Sequence, residues 1–354
     1  MLKKILFFIL LCCNTIAEAQ PPAFTIYLLG DAGNCTTTST LFKSYKAMLD
    51  STSNSASIIL GDNIYPKGML KNSKKSYLDE CKKINTQLEM ATDYDGYFFV
   101  IPGNHDWRAG KWNGIKSVKE QKKYVDSVLL NNSKIVNKRN TFLPSNALPG
   151  PEYIDINNTI RIIFIDTQWW LQSVNLHGVP RLENTTKKET EDHFFIKLDS
   201  LIEDANQRNI NVVAAFHHPV LPSGVHEIPK WILFAINYTP FQLLGILGGN
   251  RILSQTSNQL RYKKMTEKLM KSFEKSNQIV LVSGHEHILF YKQKNKVKQL
   301  VVGAGSKHST KKITTKEGIF YKGGALGFAK IVLHNATIQV SFFDEMGNVI
   351  YEEK

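Results

Sequence analysis

The sequence predicts an α/β fold with layered sheets, and two patterns in it do the predicting. Short apolar, β-branched runs recur along the chain and alternate with longer polar stretches of helical character, which is the order of an α/β protein. Five of these runs end in a glycine or histidine followed by polar, metal-ligating side chains, and in α/β sheets ligands bind just outside the carboxyl ends of the strands. With 354 residues, 42% of them hydrophobic and 21% charged, the chain has ordinary globular composition and enough length to bury a full core.

The first twenty residues carry Lys3 and Lys4, an apolar run from Ile5 to Cys13 and an Ala17-Glu18-Ala19 site, the pattern of a secretory signal peptide over residues 1–19. Export to a periplasmic or extracellular location follows as an expectation. Such a location leaves Cys35 and Cys81 in an oxidising compartment, either paired or as two free thiols. Residues 20–354 read as one domain. Its expected strands are Thr25–Leu29, Ser57–Leu60, Tyr97–Ile101, Arg161–Ile165, Asn211–Phe216, Ile279–Val282, Gln299–Val302 and Ala329–Leu333. Helices are expected over Thr40–Leu49, Ser76–Met90, Lys116–Leu130, Lys188–Asp204 and Ser257–Ser276, and a closing hairpin over Thr337–Phe343 and Val349–Glu352 around Met346-Gly347-Asn348.

One stretch breaks the rhythm. An insertion at about 228–256 contains a strongly apolar segment, 231–248, interrupted by Asn237, Thr239, Pro240 and Gln242. Pro240 and the polar residues argue against a membrane span, leaving a buried insertion or lid, or a flap that contacts a membrane surface. The net charge of +13, from 44 Lys and Arg against 31 Asp and Glu, draws anions in general and carries no long basic tract, so no specific nucleic-acid partner is indicated.

The five clusters are Gly30-Asp31-Ala32-Gly33, Gly61-Asp62-Asn63-Ile64-Tyr65, Gly103-Asn104-His105-Asp106, His217-His218-Pro219 and Gly284-His285-Glu286-His287. Any one of them alone is an ordinary cap or turn. Together they supply two carboxylates, an amide, several imidazoles and a phenol, an oxygen and nitrogen donor set suited to zinc, iron or manganese without a thiolate.

This ordered set resembles the metallophosphoesterase (calcineurin-like phosphoesterase) superfamily and, within it, the purple and tartrate-resistant acid phosphatases, over about residues 24 to 305. The resemblance implies a layered α/β/β/α sandwich of two mixed sheets flanked by helices, with a dinuclear metal site at the carboxyl ends of the strands. It implies that Asp31, Asp62, Tyr65 and His287 hold a first metal ion, and that Asp62 as a bridge, Asn104, His217 and His285 hold a second. Gly33 stands where many superfamily members carry a metal-binding histidine. Tyr65 therefore either completes the first shell as a phenolate, which favours Fe(III) there and a divalent Fe, Zn or Mn ion in the second site, or packs under the loop beside a divalent ion.

The resemblance also implies hydrolysis of small phosphate monoesters by a metal-bound hydroxide, in the manner of an acid phosphatase, with no protein nucleophile. His105 would stabilise the transferring phosphoryl group, and His226, with His105 as the competing candidate, would protonate the leaving alcohol. Asp106 is expected beside the ligands, orienting His105, and His218 behind them or at the surface. The alternatives are a phosphodiesterase using the same site on nucleotides, phospholipid headgroups or nucleic acid, and an exported binding protein that has kept the fold without the chemistry. His177, His193, His308 and His334 have no comparable context and read as structural or surface residues.

Overall fold

The computed structural model describes residues 22–35, 39–70, 74–110, 113–172, 179–227, 259–311, 318–335 and 337–353. The signal segment 1–19, the apolar insertion at about 228–256 with its 231–248 segment, and His177 lie outside the described residues.

Two mixed sheets pack face to face. In the first, the parallel strands β1 (Phe24–Leu29), β2 (Ser55–Ile59) and β3 (Tyr97–Val100) are each followed by a helix, α1 (Thr40–Asp50), α2 (Lys74–Leu88) and α3 (Gly114–Asn132). In the second, β5 (Ile160–Phe164), β6 (Asn211–Ala215), β7 (Ile279–Ser283) and β9 (Val297–Val302) run parallel, β4 (Glu152–Ile156) and β8 (Leu289–Lys294) pair antiparallel with β5 and β9, and β10 (Gly318–Lys322) pairs antiparallel with β8 at the edge. The helices of this half are the short α4 (Gln168–Leu171), α5 (Lys187–Gln207) and α6 (Leu260–Phe273). The chain then returns to the first sheet as β11 (Gly327–His334), β12 (Thr337–Asp344) and β13 (Val349–Glu352), giving the order β13-β12-β11-β1-β2-β3.

Side-chain alternation along each strand builds the layers. Ile26 and Leu28 of β1, Ile58 of β2 and Phe99 of β3 meet Ile162, Val213 and Val280 of the other sheet in one buried core. The opposite faces of the same strands, Tyr27, Leu29, Ile59 and Phe98, pack under α1 to α3 through Leu41, Tyr45, Ile84 and Val125. In the second sheet Ile163, Val212, Ala214 and Leu281 pack under α5 and α6 through Phe194, Leu198, Met265 and Phe273. Helix, sheet, sheet and helix thus form four layers, and strands buried on both sides read as continuous apolar runs because neither face meets water.

Local chemistry fixes the element ends. Thr186 caps α5 in a reciprocal box: its hydroxyl accepts from the Glu189 N–H, and the Glu189 carboxylate accepts from the Thr186 N–H. The closing hairpin pairs Phe342 with Tyr351 and turns through Asp344, whose carboxylate accepts from the backbone of Met346 and Asn348. Cys35 and Cys81 are both free; the Cys35 thiol donates to the Gly305 carbonyl. Among the described residues no helix is long and apolar enough to cross a membrane.

Candidate metal centre

Each predicted cluster hangs from the carboxyl end of a parallel strand: Asp31 after β1, Asp62 and Tyr65 after β2, Asn104 and His105 after β3, His217 after β6, and His285 and His287 after β7. At that end Gly305 N–H to Gly30 O ties the loop after β9 to the loop after β1 across the two sheets, and Gly284 N–H to His217 O joins the loops after β7 and β6 within the second sheet, both at 3.0 Å. Asp31, Asp62 and His285 adopt left-handed backbone, with φ of 57°, 55° and 70°. Non-glycine residues pay about 1 kcal/mol each for that region, a cost the surrounding hydrogen bonds must offset, and such strain collects at functional sites. Gly61 has φ of 88°, and a Cβ there would lie 2.7 Å from His217 Nδ1.

The side chains form two groups that share Asp62. In the first, the Tyr65 hydroxyl donates to Asp31 Oδ1 at 2.9 Å and lies 3.2 Å from His287 Nε2, which is 3.4 Å from Asp31 Oδ1. In the second, Asn104 Oδ1 is 3.0 Å from both His217 Nε2 and His285 Nδ1. Asp62 Oδ1 lies 3.4 Å from His217 Nε2, and the Tyr65 hydroxyl, whose proton goes to Asp31, also faces the Asp62 carboxylate, so Asp62 adjoins both groups. Asp31, Asp62 and His217 offer ligand atoms within 4.8 Å of one another, as do His217, His218 and His285. All seven predicted ligands are brought together.

The donor set fits cations. His217 Nδ1 is 2.8 Å from the Leu60 carbonyl, an acceptor only, so Nδ1 carries a proton; burial lowers the pKa of the ring but the Asp62 and Asp31 carboxylates outweigh it and raise it, and when the second proton is lost Nε2 presents a lone pair. That lone pair faces the Asn104 oxygen and the Asp62 carboxylate, an array of acceptors that a shared cation satisfies. Asp31 and Asp62 are 0% and 1% exposed and have no Lys or Arg ion partner among the described residues; buried carboxylates are paired or hold a metal. Burial would raise Asp62, but His217, His105 and the His105 N–H outweigh it and hold the carboxyl at about 2. Burial and the neighbouring histidines push His285 well below the ordinary imidazole range. An ionised carboxylate beside a neutral imidazole is the state that binds metal.

Around this centre stand the other predicted residues. The His105 N–H donates to Asp62 Oδ1 at 2.8 Å, and its ring Nδ1 is fixed 2.8 Å from the Pro66 carbonyl, leaving Nε2 3.9 Å from Asp62 Oδ2. His226 stacks edge-on to His285 and His287, with centroids 4.6 and 5.7 Å apart, and burial together with His287 presses it down to about 4. His193, His308 and His334 are exposed.

One of the two supporting roles differs from expectation. Asp106 does not bond the His105 ring. It accepts from the N–H groups of Gly103, Asn63 and Ile64, pinning the Asp62 loop to the Asn104 loop, because the β3 turn folds its carboxylate back under both. His218 takes the first of its two expected places, fully buried behind the ligands against His217 and His285. Its N–H donates to Thr167 Oγ1 at 3.1 Å and its ring Nδ1 lies 2.9 Å from the same hydroxyl, which fixes the ring and leaves Nε2 buried without a protein partner among the described residues.

The sequence reading passed over the contributions of four residues. Asp166 and Thr167 end β5 as a sixth polar strand terminus: Asp166 accepts from the Trp107 indole at 2.7 Å, and Thr167 holds His218. Glu286, inside the Gly284–His287 cluster, accepts from the Ser223 N–H at 2.8 Å and so anchors the loop carrying His226. Lys307, in the loop after β9, places its Nζ 3.4 Å from the centroid of the Tyr65 ring. Only the strand-end position of Asp166 was available as a signal in advance.

Residues 24–289 match the calcineurin-like phosphoesterase family, and the chain belongs to it. Membership makes it a phosphoester hydrolase by family, with metal-binding groups where the geometry converges. Among solved structures, the Plasmodium GAP50, described as the anchor in the inner membrane complex, superposes with a TM-score of 0.57 at 16% identity, covering 94% of this chain and 88% of that one. PhoD gives 0.53 at 11%, covering 95% and 73%, and a dimetal phosphatase from Danio rerio gives 0.50 at 11%, covering 94% and 100%. These likenesses show the fold. No curated protein matches the chain.

Proposed function

We propose that this protein is an exported phosphatase that hydrolyses small phosphate monoesters at a dinuclear centre, with Fe(III) held by Tyr65 in the first site and a divalent ion in the second. The observation that carries the reading is the pair of ligand groups sharing Asp62, with the Tyr65 hydroxyl against both carboxylates. Gly33 adds support: a Cβ there would lie 2.5 to 2.6 Å from the backbone of residues 62 to 64, so no side chain fits and the neighbouring phenol is the available donor. Asp31, Asp62, Tyr65 and His287 would hold one ion, and Asp62, Asn104, His217 and His285 the other. Two such ions supply the charge that activates a water and neutralises phosphoryl oxygens.

The protein's own groups do the rest. Leu60 and Pro66 carbonyls fix the tautomers of His217 and His105, so that each presents Nε2 toward the centre. His105 lies over the Asp62 side of the site and would hold the transferring group, while His226, on the opposite rim beside His285 and His287, would deliver a proton to the departing alkoxide. A basic chain that leaves by a signal segment would meet its phosphorylated substrates outside the cytoplasm.

The test is optical. Iron-loaded wild-type protein should absorb in the visible through phenolate-to-Fe(III) charge transfer, and Tyr65→Phe should lose the band while keeping its fold. Hydrolysis of para-nitrophenyl phosphate should exceed that of its bis-ester and stop on chelation. A colourless, fully active enzyme holding two divalent ions and no iron would remove Fe(III) and Tyr65 from the account. Preference for the bis-ester would make it a phosphodiesterase. Two bound ions without turnover of either ester would leave a binding protein, a role consistent with the structural neighbour described as an anchor.

A further inference from the structure

We propose that Lys307 is a phosphate-recognising cation that sets this site's preference for a dianionic phosphoryl group; the inference deepens the monoesterase reading and rests on it. The Lys307 ammonium lies 3.4 Å from the Tyr65 ring centroid, on the rim of the first-metal side. Among the described residues it forms no ion pair and no hydrogen bond to protein, although Lys307 is only partly exposed. The ring beneath it carries the hydroxyl that bonds Asp31, which places the ammonium beside the first-metal carboxylates. Once cations neutralise those carboxylates, the ammonium needs another anion, and the site's own ligand is the one at hand.

Its position is built rather than incidental. Three bonds hold the loop on both sides of Lys307: Gly305 N–H to Gly30 O at 3.0 Å, Ser306 Oγ to Asp31 O at 2.6 Å, and Ser309 N–H to His287 O at 2.7 Å. Two of the three acceptors belong to Asp31 and His287, the predicted first-metal ligands. The loop is therefore registered against the first shell, and Lys311 Nζ reaches the Val225 carbonyl beside His226 at 3.4 Å, spanning the same mouth. A monoester presents a dianionic phosphoryl group and a diester a monoanionic one. A fixed ammonium at the rim binds the first more tightly, since charge-assisted hydrogen bonds scale with the charge of the acceptor.

The experiment compares wild type, Lys307→Met and Lys307→Arg, each with metal content measured. Inorganic phosphate is the probe, assayed as a competitive inhibitor of whichever ester the enzyme turns over. Lys307→Met should weaken phosphate inhibition by about tenfold or more, the loss of one charged hydrogen bond. It should lower kcat/KM for para-nitrophenyl phosphate far more than for the bis-ester, with both metals retained, and Lys307→Arg should recover most of the loss. Unchanged phosphate inhibition, or equal losses on the two esters, would overturn the assignment. Because wild type alone decides whether the enzyme prefers monoesters, failure of that reading shows independently of the Lys307 series. Apo-like metal content in Lys307→Met with normal content in Lys307→Arg would also contradict the proposal, since it would make the lysine a structural support of the centre.

Discussion

The two halves of the metal centre are built differently. On the second-metal side, Asn104, His217 and His285 are 5%, 0% and 6% exposed, and His217 and His218 are each held by a hydrogen bond from the scaffold, to Leu60 O and Thr167 Oγ1. On the first-metal side Asp31 and Tyr65 are buried too, but the His287 side chain is 22% exposed, the Tyr65 hydroxyl bonds only to other members of the site, and Lys307 lies over its ring without a protein anion among the described residues. A side chain locked by the fold contributes to stability as well as to binding, whereas one at an open rim is free to meet substrate. The closed half is thus scaffold and ligand at once, and the half with the exposed His287 is where, on the proposed function, phosphate would enter.

Asp62 belongs to both halves, so its loss should have the largest effect. Asp62→Asn should abolish phosphoester hydrolysis and lower the content of both metals by elemental analysis, because the shared charge between two cations is removed. Retention of both ions at full stoichiometry would show that the halves do not meet at this residue.

Separate removal of one histidine from each half sharpens the contrast. His217→Ala should cost the second ion and about 2–4 kcal/mol of folding stability in denaturant titration, since it opens a buried cavity and orphans the Leu60 carbonyl. His287→Ala should release the first ion at a cost of about 1 kcal/mol or less, as for a partly exposed side chain outside the core. Equal stability losses would erase the distinction between a structural and an open half.

The positions that were legible in the sequence and those that were not divide along a related line. The parallel strands β1, β2, β3, β5, β6, β7 and β9 are short apolar runs, and the glycine- or histidine-marked ends of five of them carried all seven predicted ligands, because a buried strand must be apolar and a site at its end must be polar. The hairpin strand β8 was passed over although Leu289–Tyr291 is apolar, since it follows directly on His287 and reads as part of that cluster. Edge strands gave weaker signals: β4 alternates polar and apolar residues, and β10 is largely exposed. The hydrogen-bond targets of Asp106 and the burial of His218 depend on which way a turn folds, and residue type alone does not encode that. Lys307 was invisible for a similar reason. A lysine in a glycine-containing loop acquires its meaning only from the Tyr65 ring beneath it, 242 positions earlier in the chain.

The smallest expected change concerns the proton donor at the boundary of the two halves. His226→Ala should slow esters with poor leaving groups about 100-fold, while para-nitrophenyl phosphate, whose leaving group needs little protonation, should slow by less than about tenfold. Metal content and stability should stay near wild type. Parallel losses on both substrates would instead assign His226 to phosphate binding, alongside His105.

The central claim, two ions joined by Asp62, is tested most directly by a crystal structure of the metal-loaded protein with anomalous scattering recorded at the absorption edges of iron and zinc. The account predicts two ions about 3.5 Å apart bridged by Asp62, an iron contacting Tyr65 Oη, Asp31 and His287, and a second ion contacting Asn104 Oδ1, His217 Nε2 and His285. A single ion, or two ions with Asp62 bound to only one of them, would contradict it.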